Sequence, residues 1–110
     1  MFKSNMRVEK NVNVKSILMN EIRNLYSEKA FFKTYTLDEK EVCIFVAEDF
    51  SFSTTSTLTV NVISESSSNQ TNLTIIVSGG KIGFLGIAYG SEKRRAKKIV
   101  DIFLKYGFHE

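Results

Sequence analysis

The chain has 110 residues, which suits one domain with a single core that needs no disulfide or metal to stabilise it. Its apolar fraction of 43% and charged fraction of 25% are ordinary for a globular protein, and a net charge of +3 is too small to indicate a nucleic-acid partner by itself. No apolar run is long enough to cross a membrane, which argues against a membrane-spanning protein.

The N-terminal residues, the cysteine content and two glycosylation patterns bear on localisation. No hydrophobic stretch follows Met1 to Asn5, so we expect no secretory signal. Cys43 is the single cysteine and cannot form an internal disulfide, which suits a reducing cytoplasm. Asn69 and Asn72 match the glycosylation pattern, but without a secretion route we interpret both matches as coincidence. The sequence therefore predicts a cytoplasmic protein.

A short strand and a helix are predicted first. Met6-Arg7-Val8 alternates briefly, as a strand does, and a helical pattern then runs from Val14 to Lys29 with Asn13 as a candidate N-cap. The apolar stripe of this helix comprises Val14, Ile17, Leu18, Ile22, Leu25 and Tyr26. Glu21 projects close to that stripe, where burial would raise the pKa of a carboxylate and make it a candidate for chemistry. We favour the alternative that Glu21 lies at the edge of the stripe and reaches water, because ionised carboxylates are seldom fully buried.

Three strands are predicted in the middle of the chain. Phe31 to Leu37 is rich in aromatic and β-branched residues, and Asp38 to Glu41 reads as a polar turn. Val42 to Ala47 is apolar on both faces and fits a buried central strand, in which Cys43 would be a small buried hydrophobe. Thr57 to Glu65 alternates between apolar and polar residues, as expected for an antiparallel strand with one wet face.

Two polar stretches flank this last strand. Between Glu48 and Ser56, Phe50 and Phe52 alternate with serines, and the pattern leaves open whether these rings are core or surface. Ser66 to Gln70 is a polar loop.

A tight hairpin is predicted next. Gly79-Gly80 separates the apolar runs Leu73–Ser78 and Lys81–Tyr89, and such a pair indicates a two-residue turn because both positions tolerate positive φ. The resulting register pairs Val77 with Ile82, Ile75 with Phe84 and Leu73 with Gly86, and puts Leu73, Ile75, Val77, Ile82 and Phe84 on one face.

The last predicted element is an amphipathic helix. Gly90 breaks the preceding strand, Ser91 is a suitable N-cap and Gly107 a suitable left-handed C-terminal residue. Its apolar positions are Ala96, Ile99, Val100, Phe103 and Tyr106.

This order of elements predicts an α+β domain over residues 1–110, with about five antiparallel strands and an N-terminal and a C-terminal helix packed on one face. A sheet curved around the last helix, the helix-grip layout, is favoured over a flatter sheet like one half of the TATA-binding protein. Ser78-Gly79-Gly80, Tyr89-Gly90-Ser91 and the terminal helix resemble small uncharacterised proteins of low-GC Gram-positive bacteria. That resemblance implies a bacterial source and no particular activity.

Few residues suggest catalysis or a cofactor. His109 is the single histidine, and we expect it at a frayed C-terminus, so no metal site or triad is predicted. Residues 79–83 are glycine-rich but belong to the predicted hairpin, and so lack the context of a phosphate-binding loop. A catalytic thiolate at Cys43 would need an electropositive neighbour, and none is evident. We therefore expect a non-enzymatic protein with no cofactor.

Two candidate binding sites remain, and both involve the last helix. An anion would bind at the start of the helix and along its basic face, through Ser91, Lys93, Arg94, Arg95, Lys97 and Lys98. The alternative is that these residues form a solvated helix face. We favour it because most runs of charged residues are solvated surface. An apolar pocket would be lined by Phe84, Tyr89, Phe103 and Tyr106, unless these residues are simply core, which we also favour.

The function predicted from sequence is a binding or interaction module. It would act on an apolar ligand or a protein partner, or by self-association into a homo-oligomer. The alternative function is binding of an anion or a nucleic acid through the basic face of the C-terminal helix.

Overall fold

The computed structural model describes residues 1–23, 30–51, 56–79 and 87–110. Its elements in chain order are β1 (Phe2–Val8), α1 (Val14–Ile17), a π-helical turn (Leu18–Ile22), β2 (Ala30–Leu37), β3 (Lys40–Ser51), β4 (Ser56–Ser66), β5 (Thr71–Gly79) and α2 (Ile87–Leu104). The strands form one antiparallel sheet in the order β1-β5-β4-β3-β2. The predicted α+β class and the antiparallel sheet are therefore confirmed.

Alternation along the strands separates the two faces of the sheet. On β4, Leu58, Val60 and Val62 are buried, while Thr59 and Asn61 are only partly so, as the pattern predicts. The same face carries the buried residues of the neighbouring strands, which are Cys43, Phe45 and Ala47 on β3 and Thr71, Leu73, Ile75 and Val77 on β5. We call this side the core face and the other side the open face.

The β2–β3 hairpin has a two-residue turn, Asp38-Glu39, with positive φ angles of 50° and 65°. Such a turn matches the twist of the two strands it joins. It also makes Leu37 and Lys40 a pair that exchanges both backbone hydrogen bonds. Every second residue of β2 back from Leu37 therefore bonds to β3, and the residues between them direct their N–H and C=O groups outwards.

The predicted hairpin after β5 is wrong, because both edges of β5 are already occupied. Val77 lies opposite Phe2 of β1 and Val60 of β4, and Ile75 lies opposite Ser4 and Val62. No edge is left for the predicted partners 82–86, which lie outside the described residues. The fifth strand of the sheet is β1, which the sequence indicated only through Met6-Arg7-Val8.

The last helix begins earlier than predicted. Residues 87–89, assigned to a strand from sequence, form the first turn of α2, so Gly90 does not break a strand and Ser91 is not the N-cap. The predicted end is confirmed, because the helix stops at Leu104 and Gly107 has a φ of +91°.

The structure describes only the first part of the predicted N-terminal helix. Asn13 caps it as expected, because its Oδ1 accepts the Ser16 N–H at 3.1 Å. Helical structure continues to Ile22, and the next residues of the predicted helix, including Leu25 and Tyr26, lie outside the described part of the chain. The predicted stripe is buried where it is described, at Val14, Ile17, Leu18 and Ile22.

One core joins the helical residues to the core face of the sheet. The buried residues of segment 14–22 and of α2 belong to the same cluster as those of β1, β3, β4 and β5. Phe103 of α2 is fully buried and meets Phe108 edge-to-face, with ring centroids 5.3 Å apart.

A buried threonine fastens the loop after β1 to the start of β5. The Thr71 hydroxyl donates to the Lys10 carbonyl and accepts the Val12 N–H, both at 3.0 Å, and the residue is fully buried. Asn11 adds a side-chain bond of 2.7 Å to the Ser67 carbonyl. Two segments about sixty positions apart are thereby held together at one end of the sheet.

Candidate functional site

The predicted anion-binding residues lie in the interior of α2. Lys93 is the seventh residue of a helix that begins at Ile87, so the free N–H groups of the helix terminus are not next to Ser91. The side chain of Ser91 lies outside the described part. The anion site therefore loses the support that its position at a helix start would have given it.

The basic residues of α2 nevertheless share an exposed surface. Lys93, Arg94, Lys97 and Lys98 are exposed and Arg95 is partly buried, while Ala96 and Ile99 between them are in the core. This arrangement suits a solvated helix face, and it leaves the same cations accessible to an anionic partner.

The four residues of the predicted apolar pocket do not form one described site. Phe103 is core, Tyr106 is 40% exposed, and Phe84 and the side chain of Tyr89 lie outside the described part. Tyr106 instead lines an open groove of about 260 Å³ on the helical side of the molecule. The other lining residues are Val12, Asn13, Ser16, Ile17 and Asn20.

Glu21 lies at the edge of its helical stripe, as favoured from sequence. Its side chain is 27% exposed, accepts a hydrogen bond from the Tyr106 hydroxyl and lies 3.4 Å from the Lys105 Nζ. The Tyr106 hydrogen bond, followed by that from Lys105, holds the pKa of this carboxyl below its usual value. The raised pKa considered from sequence is therefore wrong, and the side chain serves to join segment 14–22 to the end of α2.

Cys43 is buried on the core face of β3, as predicted. Burial, with a smaller contribution from the Glu41 charge, raises the pKa of its thiol to about 11. A thiol with such a pKa carries little thiolate near neutrality, so its surroundings do not favour nucleophilic chemistry.

The C-terminal residues lie along the outer edge of β1 instead of fraying. His109 and Arg7 exchange backbone hydrogen bonds of 2.8 and 2.9 Å, and the Ser4 hydroxyl donates to Glu110 at 3.0 Å. The His109 Nε2 lies 3.0 Å from a Glu9 carboxylate oxygen, and the other oxygen of Glu9 lies 3.5 Å from the Arg7 Nε. The expectation of a frayed C-terminus is therefore wrong.

We expect the Glu9→Gln substitution to lower the pKa of His109. The hydrogen bond that the His109 ring donates to the Glu9 carboxylate raises that pKa above its usual value of 6.5, and it is the largest of the causes. Because the folded-state pKa is raised, the pair stabilises the fold fully below about pH 6.5, and this contribution is lost as the pH rises through the folded-state value. A proton NMR titration of the single histidine measures the effect directly.

Glu41→Gln, an exposed carboxylate on β3, is the matched control for this titration. It removes the same charge and should leave the His109 pKa unchanged. An equal shift in both variants would show that net charge, and not the Glu9 contact, sets the pKa.

Several exposed apolar side chains of the described residues lie together on the open face of β2, β3 and β4. Cross-strand pairing places Phe31 beside Val46, and Ile44 beside Ile63. Phe31 is 58% and Tyr35 42% exposed. We define the open-face patch as Phe31, Tyr35, Leu37, Ile44, Val46 and Ile63.

Sequence analysis missed this patch, although a signal for it was present. Val42 to Ala47 is apolar on both faces, which was taken to mean that both faces are buried. In the structure Cys43, Phe45 and Ala47 are buried on the core face, whereas on the opposite face Val42 is buried and Ile44 and Val46 are only partly covered. An apolar second face can therefore indicate a binding surface as well as a second layer.

The outer edge of β2 adjoins the open-face patch. Each residue from Lys33 to Leu37 is exposed, and none of the described residues pairs with this edge. The opposite edge of the sheet is covered in part by His109 and Glu110. A strand edge with free N–H and C=O groups can accept another strand.

Three further findings complete the description of the site. Within the described ranges, no group of three or more metal-binding side chains comes together. None of the helices in the described residues is both long and apolar enough to cross a bilayer. No family model matches the chain, and neither the curated proteins nor the solved structures include a significant match to it.

Proposed function

We propose that this protein is a non-enzymatic interaction module that binds another polypeptide through the open-face patch and the adjoining edge of β2. The observation that carries the proposal is that exposed and partly exposed apolar side chains lie next to one another on three neighbouring strands. Soluble proteins rarely expose such contiguous apolar area unless it contacts a partner. An extended segment added to β2 would receive backbone hydrogen bonds from the edge and apolar contacts from the patch.

The helix-grip layout is part of this proposal. The buried side chains of segment 14–22 and of α2 share a cluster with the core face, which supports two helices packed on one side of the sheet. The other side would then stay free for the partner. We also propose a bacterial source and a cytoplasmic location, in which Cys43 would remain a thiol.

A small apolar ligand is a weaker candidate than a polypeptide. The groove beside Tyr106 has a volume of about 260 Å³, below the range of roughly 300–1,000 Å³ that is usual for small-molecule pockets. Asn13, Ser16 and Asn20 are among the residues that line it, and the groove is open to solvent. The alternative function, binding of an anion or a nucleic acid, is supported by the exposed cations of α2.

One experiment separates the polypeptide from the anion. A displayed library of short peptides is panned against the whole protein, and the affinity of an enriched peptide is measured by fluorescence anisotropy beside that of a DNA oligonucleotide. We expect the peptide to bind the wild type and the variant Lys97→Glu/Lys98→Glu equally, with little change between about 50 and 200 mM salt. The double variant Phe31→Glu/Ile63→Lys should lose at least about tenfold in peptide affinity, which corresponds to about 1.4 kcal/mol.

The two variants serve as controls for each other, because each changes two exposed or half-exposed side chains on a different surface. Thermal unfolding of both verifies that the fold persists. The proposal is wrong if the enriched peptide binds the variant Phe31→Glu/Ile63→Lys as tightly as it binds the wild type. Oligonucleotide binding that falls steeply with salt and is lost in the helix variant would establish the alternative.

A further inference from the structure

The alternation of backbone hydrogen bonds across the sheet determines which groups of β2 face outwards. Starting from the Leu37–Lys40 pair, odd-numbered residues of β2 bond to β3, so Phe32, Thr34 and Thr36 direct their N–H and C=O groups to the free edge. The same alternation, carried strand by strand to β1, predicts that Arg7 faces the outer edge there. Arg7 does exchange both bonds with His109, which supports the assignment at β2.

We propose that the polypeptide bound by β2 is a second copy of this chain, paired antiparallel with Thr34 opposite Thr34 of the second copy. This inference rests on the proposed function and names the partner of the same surface. The outward groups of Thr34 then exchange hydrogen bonds across a two-fold axis, and those of Phe32 and Thr36 do so on either side. Residues directly opposite one another lie on the same face, so the two open-face patches become continuous.

The position of Lys33 on the strand selects this register. A lysine in the middle of an edge strand is a common protection against pairing, because a second lysine would come to lie beside it. With Thr34 at the axis, each Lys33 lies opposite Tyr35 of the other copy, where the ammonium group can contact the ring face. Phe31 then lies opposite Leu37, and no like charges lie directly opposite each other on the strand.

The neighbouring registers are less favourable. Moving the axis to Lys33 places the two lysines directly opposite each other, with Cα atoms about 4.5 Å apart. Moving it to Tyr35 places Lys33 opposite Leu37 and leaves Phe31 opposite the turn residue Glu39. A shift to an odd register would set the open face of one copy against the core face of the other and mismatch the hydrogen-bonding groups.

Two substitutions at one position test the register. Tyr35→Glu places a carboxylate opposite Lys33 twice per dimer, whereas Tyr35→Lys places an ammonium group there. Sedimentation equilibrium of the whole chain from micromolar to millimolar concentration should show a reversible wild-type dimer. We expect Tyr35→Lys to dissociate at least about tenfold more readily than Tyr35→Glu, because both cross-strand pairs change from attraction to repulsion.

Thr34→Pro tests the edge itself. Proline removes an outward N–H at the axis without removing a bond to β3, and edge strands tolerate it. We expect this variant to be a folded monomer, with the circular dichroism of the wild type. If it unfolds, the comparison of the two Tyr35 variants still decides the matter.

Three results would overturn the inference. The first is a wild type that stays monomeric at all concentrations, and the second is a folded Thr34→Pro variant that still forms the dimer. The third is a dimer weakened equally by Tyr35→Lys and Tyr35→Glu, which is the result expected if two open faces stack on each other. A monomer that still binds a panned peptide through the patch would exclude the second copy and leave the proposed function standing. A monomer that binds no such peptide would refute both.

Discussion

Replacing Phe103 with alanine is expected to lower the free energy of unfolding by about 3–5 kcal/mol. The ring is fully buried and meets Phe108 edge-to-face where the last turn of α2 joins the C-terminal residues. The surrounding cluster cannot collapse freely, so the cost includes a cavity as well as the lost apolar contacts. Domains of this size have a total stability of about 5–15 kcal/mol, so the variant should lose a large fraction of its stability.

Leu104→Ala is the matched control for this substitution. Leu104 is the next residue of the same helix, but it is 48% exposed, so truncation should cost no more than about 1 kcal/mol. Urea unfolding followed by circular dichroism measures both variants. An equal loss would show that Phe103 does not occupy a close-packed core, and would reopen the pocket interpretation of this residue.

Thr71→Val is expected to lower the free energy of unfolding by about 2 kcal/mol, although it nearly preserves the shape of the side chain. The hydroxyl is fully buried and serves both the Lys10 carbonyl and the Val12 N–H. Valine leaves both backbone groups without that partner at a partly buried site, and it places no polar atom there to replace the hydroxyl. Hydrogen exchange of the Val12 amide should accelerate by more than the global destabilisation explains.

The same substitution at Thr74 provides the comparison for this result. Thr74 lies on the same strand but on the open face, and its hydroxyl donates to the exposed Asn5 amide oxygen at 3.0 Å. We expect Thr74→Val to change stability by no more than about 0.5 kcal/mol. If Thr71→Val costs no more stability than Thr74→Val, the loop after β1 has rearranged and replaced the bonds that Thr71 supplies.

The local sequence pattern was sufficient to predict those strands that have one apolar and one polar face. The alternation of Leu58, Val60 and Val62 with polar residues identified both β4 and its buried side. Asn13 and Gly107 were likewise predictable, because capping depends on the residue itself and its immediate neighbours.

The errors arose where distant residues compete for the same backbone. Gly79-Gly80 is a sound local signal for a hairpin, yet β1 and β4 occupy both edges of β5, and the pairing of Met6 with Leu73 spans most of the chain. The start of α2 was missed for a related reason. Ile87 and Tyr89 favour a strand by propensity, and that preference is weak enough for tertiary context to override.

The candidate site was less predictable than the fold. The basic face of α2 was identified because helical periodicity places Lys97 and Lys98 on the surface. The contacts of Glu21 with Tyr106 and of Glu9 with His109 join residues 85 and 100 positions apart, which no local spacing encodes. The open-face patch was visible in composition, but its exposure depends on which face the helices cover.

The C-terminal residues on β1 have a consequence for how far assembly could proceed. A sheet with two open edges can add copies head to tail without limit, and such growth leads to filaments. Here Arg7 already exchanges both backbone bonds with His109, so a strand added along the β1 edge would have to displace the C-terminal residues, whereas none of the described residues bonds to the β2 edge. Pairing at a single edge closes after two copies. The C-terminal residues on β1 would thus prevent the sheet from growing beyond two copies.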